Sequence, residues 1–255
     1  MKPTIKRNRA MIAAAWGLFL LATGPVGAES LAIPKISFGV EAAKSPQDVS
    51  LSLQILLLLT VLSLAPALVI MLTSFARIVI VLSFTRSALG AQQIPPNSVL
   101  IGLALFLTVF TMAPVLNRVN QDSLQPYLQH KIGYQAAIDL AAAPVRDFLF
   151  RQTRESDLAL FVKLAKAPRP HNRAEVPTYV LVPAFIVGEL KTAFTMGFMI
   201  FIPFLVIDLV VATTLMSTGM MMMPPALVSM PCKIMLFVLV DGWHLIVQSL
   251  VTSFN

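Results

Sequence analysis

Residues 193 to 226 read AFTMGFMIFIPFLVIDLVVATTLMSTGMMMMPPA. The 25 residues from Ala193 to Ser217 carry one charge, Asp208. At 1.5 Å of rise per residue, a helix of that length exceeds the roughly 30 Å hydrocarbon core of a bilayer. The run then meets Gly219, the methionines Met220, Met221, Met222 and Met223, and the pair Pro224-Pro225. Apolar character resumes from Ala226 to Phe254, relieved by Lys233, Asp241 and a few neutral polar groups. Glycine frees the backbone and a proline pair cannot continue a helix, so the stretch reads as two membrane-type helices joined by a short turn. Methionine is unbranched and polarizable and suits a surface that fits variable shapes. Two readings of the methionine run stand side by side here: a soft constriction in a pore, or apolar packing at a hairpin tip.

Composition agrees with a membrane setting. Of 255 residues, 57% are hydrophobic and 12% charged, and the mean hydropathy is +0.80. Soluble domains carry about 25% charged residues, so the chain reads as an integral membrane protein. The net charge of +7 includes Lys2, Lys6, Arg7 and Arg9; without them it is too weak to argue for nucleic acid. The one cysteine, Cys232, excludes an internal disulfide framework and a multi-cysteine metal site.

Residues 1–28 read as a secretory signal peptide: a basic start, an apolar core over Met11–Ala22, and small residues Val26 and Ala28 before Glu29. That core is shorter than the roughly 20 residues a spanning helix needs. Residues 29–50 are a polar extracytoplasmic tail. The segment 51–116 is a first hydrophobic hairpin, with an apolar run over Leu51–Phe75, a kink expected at Pro66, and a turn over Gln92-Gln93-Ile94-Pro95-Pro96-Asn97-Ser98. Asn97 or Ser98 is expected to cap the next helix. Arg77 and Arg86, nine residues apart, are about half a turn out of phase and cannot share one partner. With the N-terminus outside, their segment falls on the cytoplasmic side, where positive charge is favoured.

Residues 117–178 form the polar region, with nine Lys or Arg and six Asp or Glu. A short helix opened by Pro144 is expected around Val145, Phe148 and Leu149, and an amphipathic one capped by Ser156 over Leu158, Phe161, Val162 and Ala165. This small α-helical extracytoplasmic domain has few large apolar groups and is expected to need partner subunits. Residues 179–255 form the second hydrophobic hairpin, with the methionine turn at its tip. The expected fold is therefore an all-α membrane protein of two hydrophobic helical hairpins separated by that domain.

Arg77, Arg86, Glu189, Lys191, Asp208, Lys233 and Asp241 lie in or beside apolar runs. Charges at membrane depth need partners or a wet cavity, so these are expected to meet other helices, other subunits or a channel. Glu189 and Lys191 point to opposite sides of a helix and do not pair. The sequence has no Gly-x4-Gly-Lys-Ser/Thr loop and no His-Glu-x-x-His motif. His130, His171 and His244 are scattered. Cys232 reads as a packing cysteine, with a reactive thiol beside Lys233 as the alternative. Asp241 and His244, three apart, suit a structural hydrogen bond, with a proton relay as the alternative. No enzyme, metal or cofactor is expected. A secondary transporter and a non-conducting membrane scaffold remain as rival classes, and the two hydrophobic halves share no visible inverted motif.

Two long blocks resemble the FliP family, the flagellar type III export-gate proteins related to the SctR proteins of injectisomes. One runs from Met71-Leu72-Thr73-Ser74-Phe75-Ala76-Arg77 to Arg86 and on through Gln92-Gln93-Ile94-Pro95-Pro96-Asn97 to Pro114. The other holds Pro183-Ala184-Phe185, Glu189-Leu190-Lys191-Thr192, Pro203-Phe204 to Val211, Gly219-Met220-Met221-Met222 with Pro224-Pro225, and Leu236 to Trp243. Gly188 stands where many relatives have serine. The resemblance implies a subunit of a multi-subunit helical funnel that stands partly above the membrane plane and conducts unfolded flagellar subunits. It implies assembly as a homo-oligomer with FliQ and FliR, contact with FlhB and FlhA, and a place in the bacterial inner membrane with the polar region periplasmic. It also implies that Met220, Met221 and Met222 form a gasket around the closed channel, with Met223, Gly219, Pro224 and Pro225 shaping the loop, and that the buried charges are assembly contacts. An injectisome-type gate is the alternative within this resemblance; the leader favours the flagellar branch.

Overall fold

The computed structural model describes residues 46–91, 94–166, 168, 170, 172–220 and 223–254, with side chains from 53 onward. The expected signal peptide over 1–28, most of the 29–50 tail, Gln92, Gln93, His171, Met221 and Met222 lie outside the described residues. Residues 54–255 form one compact unit, distinct from residues 1–53.

Every described element is helical. Helix α1 is Pro46–Met71; its sequence from Ile55 onward is predominantly apolar, and no residue of Leu53–Met71 is buried. It stops earlier than the apolar pattern suggests. The Thr73 hydroxyl turns back to donate to Ile70 O (3.2 Å), and the Ser74 hydroxyl is buried against Thr111 Oγ1 at 2.6 Å. Two short polar side chains thus end the helix and fix the corner to its neighbour. Helix α2, Phe75–Ala88, follows as a separate element with six buried residues. Arg77, expected on a cytoplasmic connection, is one of them and is 2% exposed.

Helix α3, Asn97–Val119, continues through a π-turn at Asn120–Leu124 into the short α4, Gln125–Leu128. Neither expected cap forms. Pro96 occupies the N-cap position with no side-chain bond, while Asn97 Oδ1 accepts from Arg86. Helix α5, Tyr134–Gln152, contains Pro144 in its interior instead of opening on it. Helix α6, Glu155–Leu164, begins ahead of Ser156; Val162 is buried and Leu158 and Phe161 half-buried, but Ala165 is exposed. Helix α7, Thr178–Ser217, runs unbroken for 40 residues past Pro183 and Pro203, about 60 Å at helical rise. As expected, Glu189 faces inward and Lys191 outward on it.

The last apolar stretch is two helices, α8 Pro225–Leu239 and α9 Gly242–Thr252, bent by 64°. Asp241 takes the left-handed conformation (φ 51°, ψ 53°) at the break. Gly242 is forced by close approach: a Cβ there would lie 2.2 Å from the Phe237 ring. Three helical stretches, Leu53–Met71, Asn97–Leu128 and Thr178–Ser217, are long and apolar enough to cross a membrane, and α8 with α9 makes a fourth if the bent pair counts as one.

The core lies where α2 packs against the first half of α7. Ile78, Val81 and Leu82 of α2 and Leu181 and Phe185 of α7 are fully enclosed. Each fully buried aliphatic or aromatic side chain of this kind contributes about 1.5–3 kcal/mol. Phe148 and Leu149 of α5, Val162 of α6 and Leu250 of α9 join the same cluster. The 117–178 region therefore shares its core with α2 and α7 of its own chain and does not depend on a thin core of its own.

Candidate functional site

Two places concentrate the residues singled out by sequence. The first is the turn between α7 and α8. Helix α7 closes with Gly219 in the left-handed region (φ 75°), its N–H donating to Met216 O and the Met220 N–H donating to Leu215 O at 3.0 Å. This C-terminal cap satisfies the last carbonyls and needs a residue that tolerates positive φ, which glycine supplies. Met223 N–H reaches Met220 O at 3.4 Å, and Pro224 leads into α8, whose first residue is Pro225. Proline suits that position because the first helical N–H has no intrahelical partner. Met220 is 47% and Met223 41% exposed. Large flexible side chains are thus held outward on a turn whose backbone is fixed at both ends.

The second place is a polar cluster inside the core. Arg77 of α2 forms a two-pronged ion pair with Glu189 of α7: Nε donates to Oε2 at 2.8 Å, and Nη2 donates to Oε1. Nη1 donates to Ser253 O (3.0 Å) and Ser253 Oγ (2.9 Å), and Nη2 also reaches Gln152 Oε1 (3.0 Å). The guanidinium carbon sits 3.9 Å from the Phe254 ring centre, in range for a cation–π contact. Gln152 Nε2 in turn donates to Phe254 O at 3.1 Å. One planar donor fork therefore ties α2, α5, α7 and the C-terminal end together, a task that lysine's point charge does not perform. Phe148 packs edge-on to Phe185 at 5.8 Å and stacks with Phe254 at 6.4 Å.

The other charges divide by position. Lys233 of α8 donates to Asp208 Oδ2 of α7 at 2.6 Å; Lys233 is buried, whereas the Asp208 side chain is 39% exposed. Arg86 Nη1 donates to Asn97 Oδ1 (2.5 Å) and Pro95 O (3.3 Å), closing the connection from α2 to α3. Arg77 and Arg86 have different partners, as their spacing demands. Lys191 and Asp241 are exposed, and Asp241 makes no side-chain cap on α9. Cys232 is exposed on α8 and not packed in the interior. Among the described residues, no group of three or more His, Cys, Asp or Glu is arranged to hold a metal ion.

A family model described as FliP family matches residues 58–250, most of the chain, including the turn between α7 and α8 and the Arg77–Glu189 pair. The chain belongs to the FliP family. It is 54% identical over 213 residues to the flagellar biosynthetic protein FliP of Bacillus subtilis, covering 84% of this chain and 96% of that relative. To the protein of the same name from Caulobacter vibrioides it is 49% identical over 248 residues, covering 97% and 92%. The corresponding protein of Pectobacterium carotovorum is 57% identical over 208 residues, covering 82% and 81%. In this FliP-family chain, sequence reasoning missed Gln152, Ser253 and Phe254 as members of the Arg77 cluster. Their residue types are common, and Gln152 and Ser253 lie 75 and 176 residues from Arg77 with Phe254 one further on, so no local pattern marks them.

Proposed function

We propose that this chain is a membrane-embedded subunit of the flagellar protein-export gate. In this reading, copies of it assemble with FliQ-type and FliR-type proteins in the bacterial inner membrane, in contact with FlhA and FlhB, and line a conduit for unfolded flagellar proteins. The relation to relatives named flagellar biosynthetic protein FliP, over a matched stretch that includes the exposed methionine turn, carries the reading.

The surface supports assembly. Phe106 is 79% and Phe110 66% exposed on α3; Phe198 is 61% and Leu209 66% exposed on α7. Large apolar side chains left in the open on long apolar helices mark contact with lipid or protein. Helix α7 spans about twice the hydrocarbon thickness; its first half is packed in the core of the same chain, and its second half, with no residue buried past Phe204, is left open to lipid or to neighbouring copies. The chain carries no nucleotide-binding loop, and the reading asks no catalysis of it: energy comes from elsewhere and the subunit supplies a passage.

The methionine turn is the gate in this reading. Each buried methylene contributes about 0.8 kcal/mol, so a ring of methionines from neighbouring copies seals by dry packing and repacks around a passing polypeptide. The polar 117–178 region stands on the periplasmic side. The test is the assembled complex purified with its FliQ-type and FliR-type partners and recorded in a planar bilayer. Joint replacement of Met220, Met221 and Met222 by alanine is expected to raise ion conductance in the absence of cargo. Unchanged conductance would overturn the gate, and failure of the chain to copurify with those partners would overturn the assembly.

A further inference from the structure

The outer half of the α7–α8 hairpin is jointed to the rest of the molecule at a single level. On the α7 side the joint is Pro203, whose ring removes one hydrogen bond from the helix interior. On the other side lies the break between α8 and α9, with its 64° bend and the left-handed Asp241. Between the two joints is an apolar cavity of about 460 Å³, lined by Pro203 and Phe204 of α7, Leu236 and Phe237 of α8, and Gly242 and Ile246 of α9. Beyond the joints the arms hold each other: Lys233 meets Asp208 at 2.6 Å, and the Phe204 and Phe237 rings lie 6.3 Å apart. Their other contacts are few: Phe237 lies edge-on to Trp243 of α9 at 5.3 Å, and Met230 of α8 stands beside Gly90 at the end of α2. Past Phe204, α7 buries no residue, and α8 buries only Ser229, Lys233 and Phe237. On the near side both neighbours are anchored, α7 by Glu189 on Arg77 and α9 by buried Leu250 and by Ser253 on Arg77.

We propose that the paired arms, residues 204–217 of α7 and 225–239 of α8, move as one lever, pivoting at Pro203 and at Val240–Gly242, with the apolar cavity giving the space into which the lever swings. A rigid-body motion of this kind confines its backbone changes to a few residues, here the end of α8 and the proline-weakened turn inside α7. Helix α8 has 15 residues, about 22 Å at helical rise, so a swing of about 20° carries the methionine turn roughly 8 Å. The cavity is lined by apolar side chains, so closing it strands no charge. As a device for opening the gate, the lever rests on the function proposed above; as a motion it does not.

The experiment measures a distance in the full-length chain in lipid vesicles, with Cys232→Ser removing the native thiol. Spin labels at Leu227 near the tip and Ser87 near the end of α2, both exposed, report the lever, because Ser87 stands beside Phe201 at the level of the pivot and the line between the labels is off the α7 axis. Labels at Tyr179 and Leu160 report a pair on the anchored side. The lever pair is expected to give the broader distance distribution. Pro203→Ala, which restores the helical bond, and Ser249→Phe, which fills the cavity from α9, are each expected to narrow it toward the width of the anchored pair. Equal widths for the two pairs, or a lever distribution that neither substitution narrows, would overturn the pivot. Because the readout is a distance, a broad lever pair alongside unchanged conductance in the methionine variants would leave the pivot standing and remove the gate.

Discussion

Removing Arg77 should unseat the core as much as truncating a large buried apolar side chain does. All five of its N–H donors are engaged within the molecule, two of them by Glu189, which is 1% exposed. Arg77→Ala leaves a buried carboxylate without its counter-charge and strips donors from Ser253 O and Gln152 Oε1. Breaking a buried ion pair from one side costs about 3–5 kcal/mol, a large share of the 5–15 kcal/mol that holds a typical domain. Replacing both partners with apolar groups avoids the stranded charge, so Arg77→Met with Glu189→Leu is expected to cost clearly less than the two single changes added together. The assay is a double-mutant cycle on the purified chain in detergent micelles, with reversible unfolding by increasing SDS. Arg77→Lys sharpens it, since an ammonium keeps the charge but loses the fork, and should fall between wild type and alanine. Single substitutions that shift stability by less than about 0.5 kcal/mol, or a double variant equal to the sum of the singles, would refute the reasoning.

Three further outcomes follow from close contacts. Gly242→Ala drives a Cβ into the Phe237 ring, which is wedged edge-on against Trp243 at 5.3 Å; overpacking of this kind costs about 1–3 kcal/mol, and Phe237→Leu in the same chain should recover much of the lost melting temperature. Gly188→Ser is expected to stabilise by about 1 kcal/mol, because a Cβ there lies 3.3 Å from Asp157 Oδ2, a buried acceptor with no hydrogen-bond partner that a serine hydroxyl can serve; the gain should vanish in an Asp157→Ala background when both are melted side by side. Asp208→Ala leaves the buried Lys233 ammonium without its partner, at a cost of about 1–3 kcal/mol; this is smaller than at Arg77 because Asp208 is already part-exposed, and Lys233→Met in the Asp208→Ala chain should restore stability in the same SDS titration.

The long apolar helices and the methionine turn were legible because hydrophobicity and the Gly/Pro signals are local. The Arg77 and Arg86 separation and the Glu189 and Lys191 separation were legible for the same reason, since helical phase is a property of spacing. What escaped was set by contacts distant in sequence. The corner at Thr73-Ser74 looks like two tolerated polar residues until Thr111 appears beside Ser74. The break at Asp241-Gly242 sits inside an apolar stretch that reads as one helix, and its cause is the Phe237 ring filling the space above Gly242. Pro144 reads as a start signal, yet α5 extends ten residues before it, because packing on the shared core outweighs one lost hydrogen bond. The partners of Glu189 and Asp208 lie 112 and 25 residues away, and only the folded chain selects them among the available cations.

Helix α1 leaves a mark on how the sequence is free to drift. Since none of the described residues buries Leu53–Met71, exchanging one aliphatic side chain for another there disturbs little packing within the described fold. A position on that helix that nonetheless refuses exchange is reporting a neighbour, and the pattern of such refusals around its circumference would trace the outline of whatever stands beside it.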